Sequence, residues 1–410
     1  MYNEEKILET ASLAGHILLE NGAEISRVEE TMERIASHYG VDSENFFVLS
    51  NGIFTTGRAG YAKVEFIPFK GAQLQRVAEV NQLSRDISSD KISLDDARER
   101  LQQIRSSKGK PAIDQILGSA VGSAGFCVIF GGGFLDAAAS FVAGLLLWIY
   151  VLYVSSPHMS KILGNITGGA VGTLLCLIFH RIGFGSSLGN MIVGSLIPLI
   201  PGVAFTNGIR DIADEDYIAG ATRLLDALMV FFCIAAGVVA SFGLWYVLGG
   251  VRPEVNGALA DSLTYSLPVQ VVAAFIGTLG FAVLFGVPSK NYLQCALAAT
   301  FGWMMYLALS RYSPMGIFGS TVCASILVTA LSSFFARWFR TPNTVFLITG
   351  VFPLIPGGAI FWATFFLVEG RLNEALHSGF NAVALTAAIV LGIVLVTSLP
   401  RGIFRIGLRK

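Results

Sequence analysis

A register of 155 residues constrains this chain more than any local motif does. Gly122, Gly125, Phe126, Phe130 and Gly131 recur as Gly277, Gly280, Phe281, Phe285 and Gly286. Ala143 and Trp148 recur as Ala298 and Trp303, Pro198-Leu-Ile-Pro201-Gly202 as Pro353-Leu-Ile-Pro356-Gly357, and Ala227 and Gly237 as Ala382 and Gly392. One ungapped shift serves every pair, so the last two thirds of the chain are two copies of one unit, and an architecture must accommodate both.

The solvent of those copies is lipid. Of 28 Lys+Arg and 28 Asp+Glu, residues 1–110 hold 14 and 17, which leaves 14 and 11 for the following 300 residues. Beyond Pro111 the chain is a series of apolar stretches, each near the ~20 residues that a helix needs to cross a bilayer. Ten are expected, at 113–131, 135–154, 162–180, 187–209 and 220–248, then 267–287, 291–310, 316–336, 343–367 and 376–399. Five fall in each copy, 111–255 and 266–410. A unit with an odd number of crossings re-enters with the opposite orientation, so a repeat that is direct in sequence becomes inverted in space.

Charge tests the count, because cytoplasmic loops carry more Lys and Arg. With residues 1–110 inside, the inner rim receives Lys108, Lys110, Lys161, Arg210, Lys290, Arg337, Arg340, Arg401, Arg405, Arg409 and Lys410. The outer rim receives Arg181, Arg252, Arg311 and Arg371. Both termini are therefore expected in the cytoplasm, in a multi-pass protein of the cytoplasmic membrane. The charged start, Met1-Tyr-Asn-Glu-Glu, does not resemble a cleavable signal peptide. All five cysteines lie in apolar stretches and suggest neither a disulfide nor a metal site. Zero net charge averages a charged part with an uncharged one and says little, and no nucleic-acid partner is suggested.

Residues 1–110 read as a small cytoplasmic α+β domain. Apolar side chains at Ile7, Ala11, Ala14, Leu18, Ile25, Val28, Met32, Ile35 and Tyr39 keep helical spacing, so one helix is expected over 5–39, ended by Gly40. Asn45–Thr56 and Tyr61–Phe69 read as a hairpin, and two helices follow at about 72–88 and 93–105, the second opened by Ser93 and Asp96. His16, Glu20, Glu24 and Arg27 share one helical strip, which a solvated face explains better than an acid–base cluster. With no Gly-x-Ser-x-Gly, His-Glu-x-x-His or glycine-rich phosphate loop, enzymatic chemistry has no support, and no catalytic residue, metal or cofactor is expected.

Three segments bear a resemblance. Glu9-Thr-Ala-Ser-Leu-Ala-Gly15 with Leu18-Leu-Glu-Asn-Gly-Ala-Glu24 and Arg27-Val-Glu-Glu-Thr-Met-Glu-Arg34 resembles the opening of the threonine/serine exporter family. Pro198 to Asp211 and Gly220-Ala-Thr-Arg-Leu-Leu-Asp-Ala227 resemble that family's fourth and fifth spans. In some members the halves are separate polypeptides, one of them implicated in succinate export; here they look fused. The resemblance implies a secondary transporter working outward, and it carries no site assignment residue by residue.

The residues themselves nominate a site. Two prolines three apart remove two backbone donors and the following glycine frees the backbone, so both Pro-Leu-Ile-Pro-Gly runs should break their helices in mid-span. In lipid, freed carbonyls are tolerated only around a cavity, and half-helix N-termini suit a carboxylate. Pro198, Pro201, Gly202, Pro353, Pro356 and Gly357 are thus expected to flank a polar, substrate-binding cavity, with Thr206, Asn207 and Asn381 lining it; a packing kink is the plainer alternative. Asp226 lies within the fifth span and its repeat mate is Asn381, while Asp136 is matched by Asn291. A carboxylate in a span is a functional candidate by default. Asp226 could couple a proton, or pair with Arg223 on the same face; Asp136 could couple too, although capping a helix suits its place near the rim. Arg210 and Asp211 at the inner mouth read as a gate pair or as part of a solvated loop. Tryptophans 148, 245, 303, 338 and 362 mostly suit interfacial belts.

The expected function is export of small carboxylates, serine or threonine first, driven by protons through alternating access. Succinate is the alternative within that class, and a membrane-anchored ligand sensor the alternative outside it, although an anchor has no use for matched broken spans. Expected partners are the substrate, protons and the lipid bilayer, with a homo-oligomer left open.

Overall fold

The computed structural model describes residues 3–41, 45–250 and 267–398. Arg252 and the tail cations Arg401, Arg405, Arg409 and Lys410 lie outside the described residues.

The expected helix over 5–39 is two helices, α1 (Glu4–Glu20) and α2 (Ile25–His38). Gly22 adopts φ +90°, which lets Ala23 N–H close back on the Leu18 carbonyl at 3.0 Å and stop the first helix. The apolar period runs through the break because both helices bury their stripe in one core. Gly40 ends α2 as expected, at φ +79°. The expected first strand folds on itself at Ser50–Asn51, giving β1 (Phe46–Leu49) and β2 (Gly52–Thr56), and β3 (Ala62–Phe66) completes an antiparallel sheet in the order β1-β2-β3. Helices α3 (Leu74–Ser88) and α4 (Leu94–Ser106) follow, the latter capped by Ser93 Oγ accepting from Asp96 N–H at 3.2 Å.

Every expected span has a helical counterpart. They are α5 (Ala112–Ile129); α6 (Phe134–Tyr150), which widens through 151–155 into α7 (Ser156–His158); α8 (Lys161–Arg181); α9 (Leu188–Leu196) with α10 (Gly202–Ala213); α11 (Tyr217–Val247); α12 (Leu267–Leu284); α13 (Tyr292–Tyr312); α14 (Gly316–Trp338); α15 (Asn343–Val351) with α16 (Gly357–Val368); and α17 (Leu372–Thr397). Among the described residues, 8 helices are long and apolar enough to cross a membrane, and 10 crossings result if each bent pair counts as one. The bends are where the prolines put them: 68° between Leu188–Leu199 and Gly202–Ala213, and 53° between Asn343–Leu354 and Gly357–Val368. This is a polytopic, mainly helical membrane protein.

Helix starts keep the sequence register, with Ala112, Leu188, Gly202 and Tyr217 answered by Leu267, Asn343, Gly357 and Leu372. The two copies meet along α5 and α12 at glycines. A Cβ on Gly125 would lie 2.5 Å from Gly277 Cα, and one on Gly280 would lie 2.6 Å from Gly122 N. Because Gly122 and Gly125 are the repeat mates of Gly277 and Gly280, each contact is the other's image when the copies are exchanged. Phe126 and Phe281, also repeat mates, meet edge to face at 5.1 Å.

The N-terminal elements are not held off by solvent. Their apolar core, which includes Leu18, Ile25, Met32 and Val77, continues into Val203, Ala282, Val287 and Phe346 of the membrane helices. The first turn of α3 donates Leu74 N–H and Gln75 N–H to the Phe285 and Gly286 carbonyls just past α12, at 3.0 and 2.7 Å. One helix start thus satisfies another helix's end.

Candidate functional site

Pro198 and Pro201 have no N–H to give, so α9 tightens into a 3₁₀ turn at Ile197–Leu199, Ile200 turns extended, and α10 begins afresh at Gly202. Pro353, Pro356 and Gly357 repeat the sequence of events before α16. The two breaks come together. A Cβ on Gly202 would reach 2.3 Å from the Phe352 ring, and one on Gly357 would reach 3.0 Å from an Ile200 methyl.

Where a polar cavity between the breaks was expected, an apolar plug stands. Phe352 packs on Phe126, Phe281 and Phe285 with centroids 5.2, 4.4 and 5.3 Å apart, and Ile197, Ile200, Leu354 and Ile355 fill the rest. Residues beside the prolines are large and apolar in both copies, and once the breaks meet their side chains fill the gap. A cavity of about 50 Å³ survives beside Pro353 and Pro356, against Phe130 and Trp303. Trp303 and Trp362 are buried rather than interfacial. Thr206 is buried with its hydroxyl unpartnered.

Polar groups concentrate at one end of the bundle, where the α1–α2 turn inserts between the broken spans. Asn207 Nδ2 donates to the Gly22 carbonyl at 2.8 Å. Arg223 donates to the Ala23 carbonyl at 3.0 Å and pairs with Asp211 at 2.7 Å. Asp211 also accepts Ile25 N–H at 3.1 Å, which caps the start of α2, and Ser26 Oγ donates to Asp214 at 2.8 Å. Glu24 is fully buried, 3.3 Å from Arg210 and 3.4 Å from Arg27, and it accepts the Thr344 hydroxyl. Burial alone would raise its carboxyl, but Arg210, Arg27 and Thr344 outweigh that and hold it down at about 2. One turn thereby grips Asn207, Arg210 and Asp211 on α10 and Thr344 on α15.

Four expectations change here. Arg210 and Asp211 do not pair with each other; each serves the inserted turn, because residues i and i+1 point apart on a helix. They are buried parts of a seam, not of a solvated loop. The strip on α1 and α2 is not a solvated face either, since Glu20 and Glu24 are buried and Glu20 pairs with Lys70 at 2.6 Å. Asp226 does not pair with Arg223, which Asp211 has already engaged. It pairs instead with Lys161 at 2.6 Å, and both side chains are about half exposed, at 46% and 58%.

Asp226, Lys161, Arg223 and Asn207 line one cavity of about 310 Å³, closed on the other side by Ser50, Asn51 and Phe69 of the N-terminal segment. Two residues stand apart from it. Asp136 is buried and accepts N–H from Gly133, Ser186 and Ser187 at 2.8, 2.6 and 3.0 Å, so it caps α6 and ties down the turn before α9. The Asn381 amide is hydrogen-bonded to His377 on its own helix, at 3.4 Å. Sequence reasoning passed over Lys161 as a rim charge and Thr344 entirely. For Thr344 the sequence carried no sign, since its partner lies 320 positions away.

Known proteins place this arrangement. A family model described as threonine/serine exporter matches residues 9–245, and a second, "Threonine/Serine exporter, ThrE", matches residues 270–399. The chain is 22% identical to the "Threonine/serine exporter" of Corynebacterium glutamicum over 94% of its own length and 81% of the relative's. It is 23% identical to the "Probable threonine/serine exporter" of Mycobacterium tuberculosis, over 98% and 78%. A "Pheromone-regulated membrane protein 10" of Candida albicans aligns over 82% of this chain but 31% of its own length, at 23% identity. No solved structure matches. The chain belongs to the threonine/serine exporter family.

Proposed function

We propose that this transporter exports serine or threonine across the cytoplasmic membrane by proton-coupled alternating access between two inverted five-span repeats. The observation that carries the substrate class is the 310 Å³ cavity, where Lys161 and Asp226 sit as an accessible pair of opposite charges. A zwitterion matches it: the substrate carboxylate meets Lys161, its ammonium meets Asp226, and Asn207 and Thr222 offer hydrogen bonds to a side-chain hydroxyl. A dicarboxylate would have to face Asp226 with like charge, which disfavours succinate. The relatives' names support the same choice.

The reciprocal glycine contacts of α5 with α12 support a two-fold relation between the repeats, and five spans in each make that relation an inversion. Lys161, Arg210, Lys290, Arg337 and Arg340 belong to the rim on which the N-terminal segment sits, as the positive-inside rule requires if both termini are cytoplasmic. With the aromatic plug between the breaks, the cavity lies on the side of the N-terminal segment, from which an exported substrate is loaded. We assign the coupling role to Asp226, the carboxylate of that pair.

Uptake of radiolabelled serine, threonine and succinate into proteoliposomes, with and without a pH gradient, tests this. Serine and threonine should move, and Asp226→Asn, which removes both the partner of the substrate ammonium and the coupling carboxylate, should abolish gradient-driven transport and weaken counterflow exchange. Transport of succinate alone, or an Asp226→Asn variant indistinguishable from the parent, would overturn it.

A further inference from the structure

On the other side of the inserted turn lies a second, larger cavity of about 650 Å³ that the transport reading does not use. Its walls come from α2, α3, α10, α14 and the start of α15, so it bridges the N-terminal segment and the second repeat. Arg27, Arg34, Arg85, Arg210 and Arg337 line it, against the carboxylates of Glu30 and Asp214. Glu30 is shared between Arg27 at 2.7 Å and Arg34 at 2.5 Å, and Arg210 is held by Glu24. Arg85 donates to neutral acceptors, the Gln82 amide oxygen at 2.6 Å and the Arg340 carbonyl at 2.7 Å, and no carboxylate lies within ion-pair distance of it among the described residues. Burial, then the neighbouring Arg34, pulls the Arg85 guanidinium below its ordinary value, with Asp86 opposing the shift. At the cavity wall the buried Arg210 Nε–H makes no hydrogen bond, although a carboxylate oxygen of Asp214 lies 3.8 Å from it.

We propose that this cleft binds a phosphate-bearing anion, either the headgroup of an anionic lipid or a soluble phosphate ester. Guanidinium forks from separate elements match a tetrahedral anion with several oxygens, each offering paired N–H donors to two of them. The volume exceeds what inorganic phosphate fills and leaves room for the ester. The anion would tie α2 and α3 to α14, so binding stabilises the N-terminal segment in its docked place.

Calorimetric titration of the purified full chain, in phosphate-free detergent buffer, with pyrophosphate and separately with dioctanoyl phosphatidylglycerol, tests the assignment. At least one probe should bind saturably, the lipid alone if the source is a headgroup and pyrophosphate as well if it is soluble. Arg34→Gln with Arg85→Gln should weaken binding about tenfold, and Arg100→Gln on the far helix α4 should not. If the double variant fails to fold, Arg85→Gln alone should still weaken binding by about threefold. Absence of saturable binding, full affinity in the folded variants, or displacement of the probe by equal concentrations of serine or succinate would each overturn the proposal.

Discussion

Glu24 is a fully buried carboxylate whose two arginine partners belong to different parts of the chain, Arg27 on its own helix and Arg210 on the first broken span. Removing its charge leaves Arg27 with Glu30 alone and Arg210 with only the more distant Asp214, at 3.8 Å, and breaking a buried pair costs up to about 3–5 kcal/mol. Glu24→Gln should therefore lower the melting temperature sharply, and adding Arg210→Gln should recover part of the loss instead of adding to it; simple additivity would mean that the two do not interact. Because its pKa falls from 4.5 to about 2 on folding, this contribution is complete above pH 4.5 and lost as pH falls towards 2. Glu29 behaves in the opposite sense. Burial, then Asp216, raises it from 4.5 to about 7, so the folded state holds the extra proton and stability declines as pH rises from 4.5 to 7. Glu29→Gln should melt higher than the parent at pH 8 and with it at pH 4; equal pH profiles would refute the assignment. Neither environment was legible in the sequence, where Glu24 read as part of a solvated helical strip and nothing singled out Glu29.

Elements were more legible than residues, for identifiable reasons. Spans announce themselves by apolar length, and the breaks by two prolines and a glycine in each copy, so helix ends match expectation within a few residues. The turn between β1 and β2 was missed, although Asn51-Gly52 is a strong hairpin signal, because the run of β-formers around it argued for one strand. The break between α1 and α2 was hidden by an apolar period that continues through it. The repeat's glycines lead to a prediction at this scale. A Cβ at position 125 would meet backbone atoms of α12 at 2.5 and 2.8 Å, whereas at 277 the nearest neighbour is the Phe126 ring at 3.1 Å. Side chains can shift where backbone cannot, so Gly125→Ala should destabilise by about 1–3 kcal/mol and Gly277→Ala by clearly less, measured by thermal unfolding in detergent. The reverse order would mean that the crossing is not set by these two helices.

For the molecule as a whole, nothing in the sequence hinted that the N-terminal segment reaches between the membrane helices, because every bond that docks it joins residues far apart in the chain. That docking bears on transport. The α1–α2 turn holds Asn207, Arg210 and Asp211 on one broken span and Thr344 on the other. Any motion that separates the spans on this side must release at least one of those grips, so the turn should leave its place in each cycle. Ser26 and Asp214, hydrogen-bonded at 2.8 Å across the seam, offer a place to prevent that. Cysteines at both positions, with Cys323 replaced by serine since the remaining native cysteines are buried, should be joined by a short thiol cross-linker of the methanethiosulfonate type. Cross-linking should stop serine transport in proteoliposomes, and dithiothreitol should restore it. Full transport by the cross-linked protein would make the turn a fixed anchor, and would move the opening of the pathway to the side of the bundle that the N-terminal segment does not touch.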